Sequence, residues 1–218
     1  MMKAIESRRA RNRDMRESQL IDAALRCISE LGLRDTTVQD VAGRAGMAVG
    51  SINQYFESKE QLFTAALHAL SEEFEMTWQR GLEQAGADAA ARLRCFVECY
   101  FEPAVCQRKK VAVWFAFWGE VKARPKYRAV CAGYDRSHDD TLEALCRALL
   151  RQSPDPAQDA RNAAKIIASV CHGLWLEFLT GSDGLKRGEL ARLALATLAA
   201  VFPEHAAAFL SPRTTEAA

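Results

Sequence analysis

Apolar positions recur at three- and four-residue spacing along almost the whole chain. Leu20, Ile21, Ala24, Leu25, Ile28 and Leu31 fall on one helix face,. Asp14 and Glu17 suit an N-terminal capping box ahead of them, and Gly32 suits the position just past the helix end,. Val38, Val41, Ala42 and Ala45 predict a short second helix capped by Thr37 and broken at Gly46,. Val49, Ile52 and Phe56 predict a short third one. Ser58 to Gln61 reads as a second capping box, opening a long fourth helix through Leu62, Ala66, Leu70, Phe74 and Trp78,. A break is expected from Gly81 to Asp88. Helical patterns resume at about 89–101, 108–121, 126–151, 157–180 and 187–202. Pro103, Pro125, Pro154, Pro156 and the Gly181–Gly184 stretch fall between them, and Ala206–Leu210 fits one extra turn,. No segment alternates with the period of a strand. The pattern predicts an all-α chain of about nine helices, with a three-helix head over residues 1–60 and a helical bundle over 61–210,.

Composition narrows the class. At 218 residues, 49% hydrophobic and 26% charged, the chain is long and apolar enough to fold, which excludes a disordered protein,. Its longest apolar runs fall short of the roughly 20 residues of a membrane helix. The polar, Arg-rich start does not read as a signal peptide, so a cytoplasmic protein with no membrane partner is expected,. Seven scattered cysteines without a C-x-x-C pair read as core thiols,. The alternative is a redox sensor built on Cys95, Cys99 and Cys106, the first two being one helical turn apart,.

Net charge is +1, so the whole chain is not a basic nucleic-acid binder, but its charge is unevenly placed. Residues 8–16 hold five arginines and one acid. Arg8, Arg9, Arg11 and Arg13 suit an arm that neutralises phosphate or enters a minor groove,. Two short helices joined at a glycine form helix-turn-helix grammar. Val41, Ala42, Ala45 and Ile52 would lock the pair, leaving Ala48, Gly50, Ser51, Asn53, Gln54 and Tyr55 on the outer face. Asn and Gln pair bidentately with adenine, and Thr37, Tyr55 and Lys59 are placed for phosphate contacts,.

The run from Thr37 to Leu62 (TVQDVAGRAGMAVGSINQYFESKEQL) resembles the signature of the TetR family, and the preceding Leu31-Gly-Leu33 fits it. The resemblance covers about residues 17–63. It implies a dimeric, all-helical, ligand-responsive transcription factor, usually a repressor. It assigns Thr37, Tyr55 and Lys59 to phosphate and places Ser51, Asn53 and Gln54 toward the groove. Ala48 stands where Ser is usual, Met47 where Val is usual, and Asn53 where Tyr is frequent.

In the second half, Trp114, Phe117 and Trp118 share a helix face, and Trp175 follows in Gly173-Leu-Trp-Leu,. These rings read either as core or as a box for a quaternary ammonium, with Glu120, Glu177 or Asp135 as carboxylate partner,. Trp114–Trp118, Pro125–Arg128 and Gly173–Leu176 are similar to the BetI-type branch of the same family, which implies a choline-type inducer. His172 stands where that branch often has Asp. An amphipathic drug or a polyamine is the alternative inducer. The last two long helices carry wide apolar faces, and the family implies that they pair with their copies; Ile166, Ile167, Val170, Leu174, Leu193 and Leu198 are the candidate interface. No nucleophile elbow, P-loop or H-E-x-x-H is present, so neither catalytic nor metal residues nor a cofactor are assigned,. His138-Asp-Asp140 reads as a solvated face, because consecutive helical positions diverge,.

Overall fold

The computed structural model describes residues 2–181 and 184–212, with side chains described from residue 11 onward. The side chains of Arg8 and Arg9 therefore lie outside the described residues. Among the described residues there are ten α-helices: α1 (Met2–Leu31), α2 (Val38–Ala45), α3 (Val49–Ile52), α4 (Lys59–Gln84), α5 (Ala89–Cys99), α6 (Arg108–Glu120), α7 (Pro125–Leu149), α8 (Pro156–Thr180), α9 (Arg187–Val201) and α10 (Ala206–Leu210). A short 3-10 turn, Pro203–His205, precedes the last. Among the described residues no strand occurs.

Two boundaries differ from the sequence reading. Helix α1 begins at Met2, not near Asp14. Glu17 is not part of a cap; it accepts a hydrogen bond from Arg13 at 2.8 Å, an ordinary i,i+4 pair inside the helix,. Helix α4 continues through Gly81 to Gln84. The glycine is tolerated there because its face is taken by α5: a Cβ at 81 would lie 2.9 Å from Cys99 Sγ and 3.0 Å from Cys95 Sγ. Close helix packing at this point outweighs the roughly 1 kcal/mol by which glycine weakens a helix.

The chain divides into two compact units that do not follow a cut near residue 60. The first holds residues 1–72 and 112–132; the second holds residues 73–111 and those from 133 onward. In the first, Leu20, Ala24 and Ile28 of α1, Val41 and Ala42 of α2, Ile52, Phe56 and the α4 residues Leu62, Phe63 and Ala66 are buried. Caps define each short helix. Thr37 Oγ1 accepts from the Asp40 N–H while the Asp40 carboxylate accepts from the Thr37 N–H at 2.7 Å. Ser58 Oγ accepts from the Gln61 N–H at 3.1 Å, and the Gln61 side chain reaches back to the Glu57 N–H at 2.6 Å. Gly46 ends α2 with a φ of 65°, its N–H turned back to the Ala42 and Gly43 carbonyls.

In the second unit, Phe74 and Trp78 of α4, Phe96 of α5, Leu142 and Cys146 of α7, Ala163, Ile167, Cys171 and Trp175 of α8, and Leu190 and Leu198 of α9 are buried. Asp88 and Asp155 cap α5 and α8, with Pro156 in the first turn of the latter,. Ile167 and Leu198 are 1% and 0% exposed within a single chain, which places them in its own core, where the family resemblance implied an interface. Among the described residues α8 is the one helix long and apolar enough to cross a membrane, a property that the sequence reading did not find.

The left-handed turn makes a paired test. Gly46→Ala forces a Cβ into the left-handed region and is expected to lower unfolding free energy by about 1–2 kcal/mol. Gly43→Ala, inside α2 with nothing within 4 Å of its added Cβ, is expected to raise it by about 0.5–1 kcal/mol. Urea unfolding of both variants measures the signs.

Candidate functional site

The α2–α3 pair is set by the Gly46 turn and by Val41, Ala42 and Ile52, all at most 2% exposed. Helix α3 proper is four residues, shorter than the apolar pattern implied. It continues in tighter turns: the Gln54 N–H bonds the Ser51 carbonyl at 3.1 Å and the Tyr55 N–H bonds the Ile52 carbonyl at 2.8 Å. Asn53 remains right-handed, with φ of −62°. The segment 49–55 is thus one rod, and Ala48, Gly50, Asn53 and Gln54 are exposed along it while Ser51 and Tyr55 are half-buried. Thr37 is exposed and serves the α2 cap. Lys59 Nζ donates to the Arg34 carbonyl at 3.3 Å and lies 5.2 Å from the Phe63 ring centre. Arg11 and Arg13 sit on the exposed start of α1. Arg44 of α2 grips both carboxylate oxygens of Glu30 on α1, which fixes the second helix on the first.

Also in the first unit, the corner between α6 and α7 is tied to this head. Arg34 Nε meets Glu120 Oε1 at 2.5 Å, and Arg124 Nε lies 3.5 Å from Glu120 Oε2. Lys126 of α7 pairs with Glu60 of α4 at 2.7 Å. Tyr127 is buried with its ring edge-on to Phe117, centroids 5.1 Å apart. The hydrogen bond from Arg34 holds the Glu120 carboxyl below the usual glutamate range. Two protein cations therefore match the charge that the sequence reading assigned to a ligand. Trp114 and Trp118 lie in this unit with ring centroids 5.6 Å apart; Trp114 and Phe117 are buried.

Trp175 belongs to a different cluster, in the second unit. The Phe74 ring centre lies 4.9 Å from Tyr100, 5.6 Å from Trp175, 5.9 Å from Tyr134 and 6.0 Å from His138. Tyr100 lies 5.3 Å from Trp175 and 5.7 Å from His172. The Trp175 indole N–H donates to the Tyr100 carbonyl at 2.9 Å. Tyr100 Oη is 2.5 Å from His138 Nε2. Burial pushes the Tyr100 and Tyr134 phenols well above their ordinary value, with the charges of Asp135 and Asp139 adding to the shift. Burial, with His138 second, pushes His172 down to about 4, so it is neutral near pH 7. Glu177 is exposed.

Phe74, Tyr100, Tyr134 and His138, which form this cluster with Trp175, were not among the candidate residues of the sequence reading. His138 is 3% exposed, not part of a solvated face. The signal was present: Tyr127, Cys131, Tyr134, His138, Leu142 and Leu145 follow three-four spacing along α7,. All seven cysteines are buried. Cys99 is pushed upward by its hydrogen bond with Cys95 and by burial, and burial carries Cys106 to about 11, so the reactive thiolate is disfavoured,.

The family described as bacterial regulatory proteins, tetR family, matches residues 20–66, and the BetI-type transcriptional repressor C-terminal family matches residues 89–203. The HTH-type transcriptional regulator BetI of Burkholderia mallei is 34% identical over 185 residues, 84% of this chain and 91% of the relative. That of Stenotrophomonas maltophilia is 32% identical over 163 residues, 74% of this chain and 80% of the relative. Among solved structures, a transcriptional regulator from Pseudomonas aeruginosa PAO1 shares the fold with a TM-score of 0.77 at 23% identity, covering 90% of this chain and 94% of that one. A regulator from Saccharomonospora viridis in complex with choline does so with a TM-score of 0.71 at 24% identity, covering 84% and 94%.

Glu120 gives a pH test. Its folded pKa is depressed, so its contribution is present above the ordinary glutamate value of about 4.3 and is lost as pH falls through the lower folded value,. Glu120→Gln is expected to unfold at lower urea than wild type at about pH 7, with the gap closing toward about pH 3. A gap independent of pH would mean that the Arg34 pairing carries no stability.

Proposed function

The chain belongs to the TetR family of transcriptional regulators, with a BetI-type C-terminal domain, and from that premise we propose a dimeric repressor that reads a palindromic operator and leaves it on binding a quaternary ammonium compound such as choline. The family consists of regulators, not enzymes. The observation that carries the DNA reading is the rod 49–55, locked from behind by Ile52 and presenting Gly50, Asn53 and Gln54 outward. Asn53 and Gln54 offer paired donors and acceptors to base edges. Gly50 has nothing within 4 Å of an added Cβ and lets backbone approach the groove. Thr37, Tyr55 and Lys59 flank the rod and take phosphates, joined by Ser51 and the backbone at Ala48. Because α1 is helical from Met2, residues 9, 13 and 16 share one face by spacing,. Arg8, Arg9, Arg11 and Arg13 thus form a basic helical extension that adds sequence-independent attraction.

Dimerisation follows from α8 and α9. Ile166, Leu176 and Leu193 are about half exposed, and Val170 and Leu174 are half-buried. Ser169, Gly173, Ala196 and Ala200 lie exposed among them, small enough for helices to approach closely. A two-fold dimer presents two reading segments one DNA turn apart, roughly 34–36 Å, or a multiple of it.

The Phe74–Tyr100–Trp175 cluster suits the ligand. A quaternary ammonium has no N–H to donate, and ring faces attract it electrostatically. His172, held neutral, adds no opposing charge, and the choline complex of the S. viridis regulator, which has the same fold, is consistent with this chemistry. Release requires that the ligand favour a conformer unsuited to DNA. Helix α4 carries Leu62 and Phe63 in the first unit and Phe74 in the second, which makes it the element through which occupancy would act. The choline reading places Trp114, Phe117 and Trp118 in the packing of the first unit.

Two variants test the DNA reading. The Asn53→Ala/Gln54→Ala pair is expected to weaken operator binding by about 1–3 kcal/mol per lost base contact while leaving random-duplex binding unchanged. Deleting residues 1–13 is expected to weaken both and to flatten their dependence on salt. Fluorescence anisotropy with labelled duplexes over a salt series reads both effects. Equal operator affinity in the double variant would remove residues 53 and 54 from the interface.

A further inference from the structure

Two thiols of the second unit meet at the glycine of α4. Cys95 and Cys99 lie one turn apart on α5, the only two of the seven cysteines so closely spaced in the sequence. Both sulfurs face a single turn of α4. Cys95 Sγ donates to the Gly81 carbonyl at 3.2 Å, and Cys99 Sγ donates to the Thr77 carbonyl at 3.7 Å. The two thiols are also hydrogen-bonded to each other. A Cβ on Gly81 would lie 2.9 Å from Cys99 Sγ and 3.0 Å from Cys95 Sγ, so the glycine keeps a point almost equidistant from both sulfurs clear of any side chain of its own. The pair also has a way out. Cys95 lines an open pocket of about 320 Å³ together with Gln84 and Ala85 of α4, Ala91 of α5, and Ala208 and Ser211 at the end of α10. Arg94 fixes that last wall by donating to the Ala208 and Ser211 carbonyls at 3.0 and 2.7 Å.

Sulfur ligands select soft elements. A structural zinc takes four ligands, and among the described residues no group of three or more His, Cys, Asp or Glu is arranged to hold a metal ion. A trivalent arsenical needs only two thiols, and it needs no thiolate at the outset. Cys99 is kept protonated by its hydrogen bond with Cys95 and by burial. Arsenous acid supplies its own base, because each departing hydroxide takes up a thiol proton.

We propose that Cys95 and Cys99 form a dithiol site for a trivalent arsenical, entered through the pocket beside Ala91 and Ala208. In the binding step two As–O bonds of arsenous acid break and two As–S bonds form. Each thiol proton leaves with a displaced hydroxide as water, the third hydroxyl remains, and arsenic stays trivalent. The adduct is uncharged, which suits a buried position. The second As–S bond closes a ring within one helical turn, so it forms at high effective concentration of thiol. The site is separate from the aromatic cluster and does not depend on the quaternary-ammonium reading.

The test uses the native full-length protein, reduced with a phosphine because thiol reductants compete for arsenic. Phenylarsine oxide is the probe; its hydrate carries two hydroxyls, so it joins two thiols and no third. Uptake is read by intact mass. The site is read by unfolding the adduct in N-ethylmaleimide and mapping which cysteines escape capping. Wild type is expected to take up one phenylarsenic group per chain, on Cys95 and Cys99. Cys95→Ala and Cys99→Ala are each expected to weaken uptake by at least about a hundredfold, because only one As–S bond then forms. Cys146→Ala, on α7, is expected to bind as wild type does. Circular dichroism reports whether each variant folds; where an alanine variant does not, the wild-type map decides. No uptake by the native wild type, a group mapped to other cysteines, or unchanged uptake in both alanine variants would overturn the site.

Discussion

Glu120 takes the guanidinium of Arg34 on one oxygen and that of Arg124 on the other, and much of the first unit depends on that double pairing. A carboxylate withdrawn this far from water is stable only where its charge is matched. Matching it brings the loop after α1 and the end of α6 to one point. Lys126 repeats the device on Glu60 at the start of α4. The result is a DNA-reading head that is not closed on itself. It includes the corner between α6 and α7, and the compact unit takes in residues 112–132.

The second unit is organised around one ring. Tyr100 ends α5, accepts the Trp175 indole on its carbonyl, and extends its hydroxyl to His138. Helices α5, α7 and α8 thus meet through directional bonds, whereas the rest of their packing is non-directional burial. Buried polar groups are costly when left unmatched, so a satisfied set within an apolar core restricts how the helices can be arranged. That restriction is what a selective ligand site requires. The same unit presents the exposed apolar face of α8 and α9, so on the proposed reading sensing and pairing share one set of helices.

The helical fold was legible because its signals are local. Thr37, Gly46 and Ser58 act within a few residues of themselves, and each cap or turn occurs where the chain pattern placed it. Boundaries were missed where a distant partner overrode the local signal. Gly81 looks like a break until Cys95 and Cys99 are packed on it, and α1 runs back to Met2, past the Asp14–Glu17 pair that suggested its start. The apolar stripe of α9 does not say which of its residues face the chain's own core: Leu198 is buried there, whereas Leu193 is exposed. The aromatic cluster of the second unit was harder still. The Trp114–Trp118 run is conspicuous in the sequence, but ring density along a helix does not reveal ring neighbours in space. The cluster around Phe74 joins four helices through residues that are individually ordinary.

The most direct measurement selects duplexes from a random DNA library with the full-length protein, then follows release of the recovered sequence as choline is added. The account predicts an inverted repeat with half-sites spaced for a two-fold dimer, released in a saturable manner by choline and retained with its neutral isostere, in which carbon replaces the quaternary nitrogen, at the same concentration. Recovery of no common sequence would contradict the central claim that the rod 49–55 reads an operator.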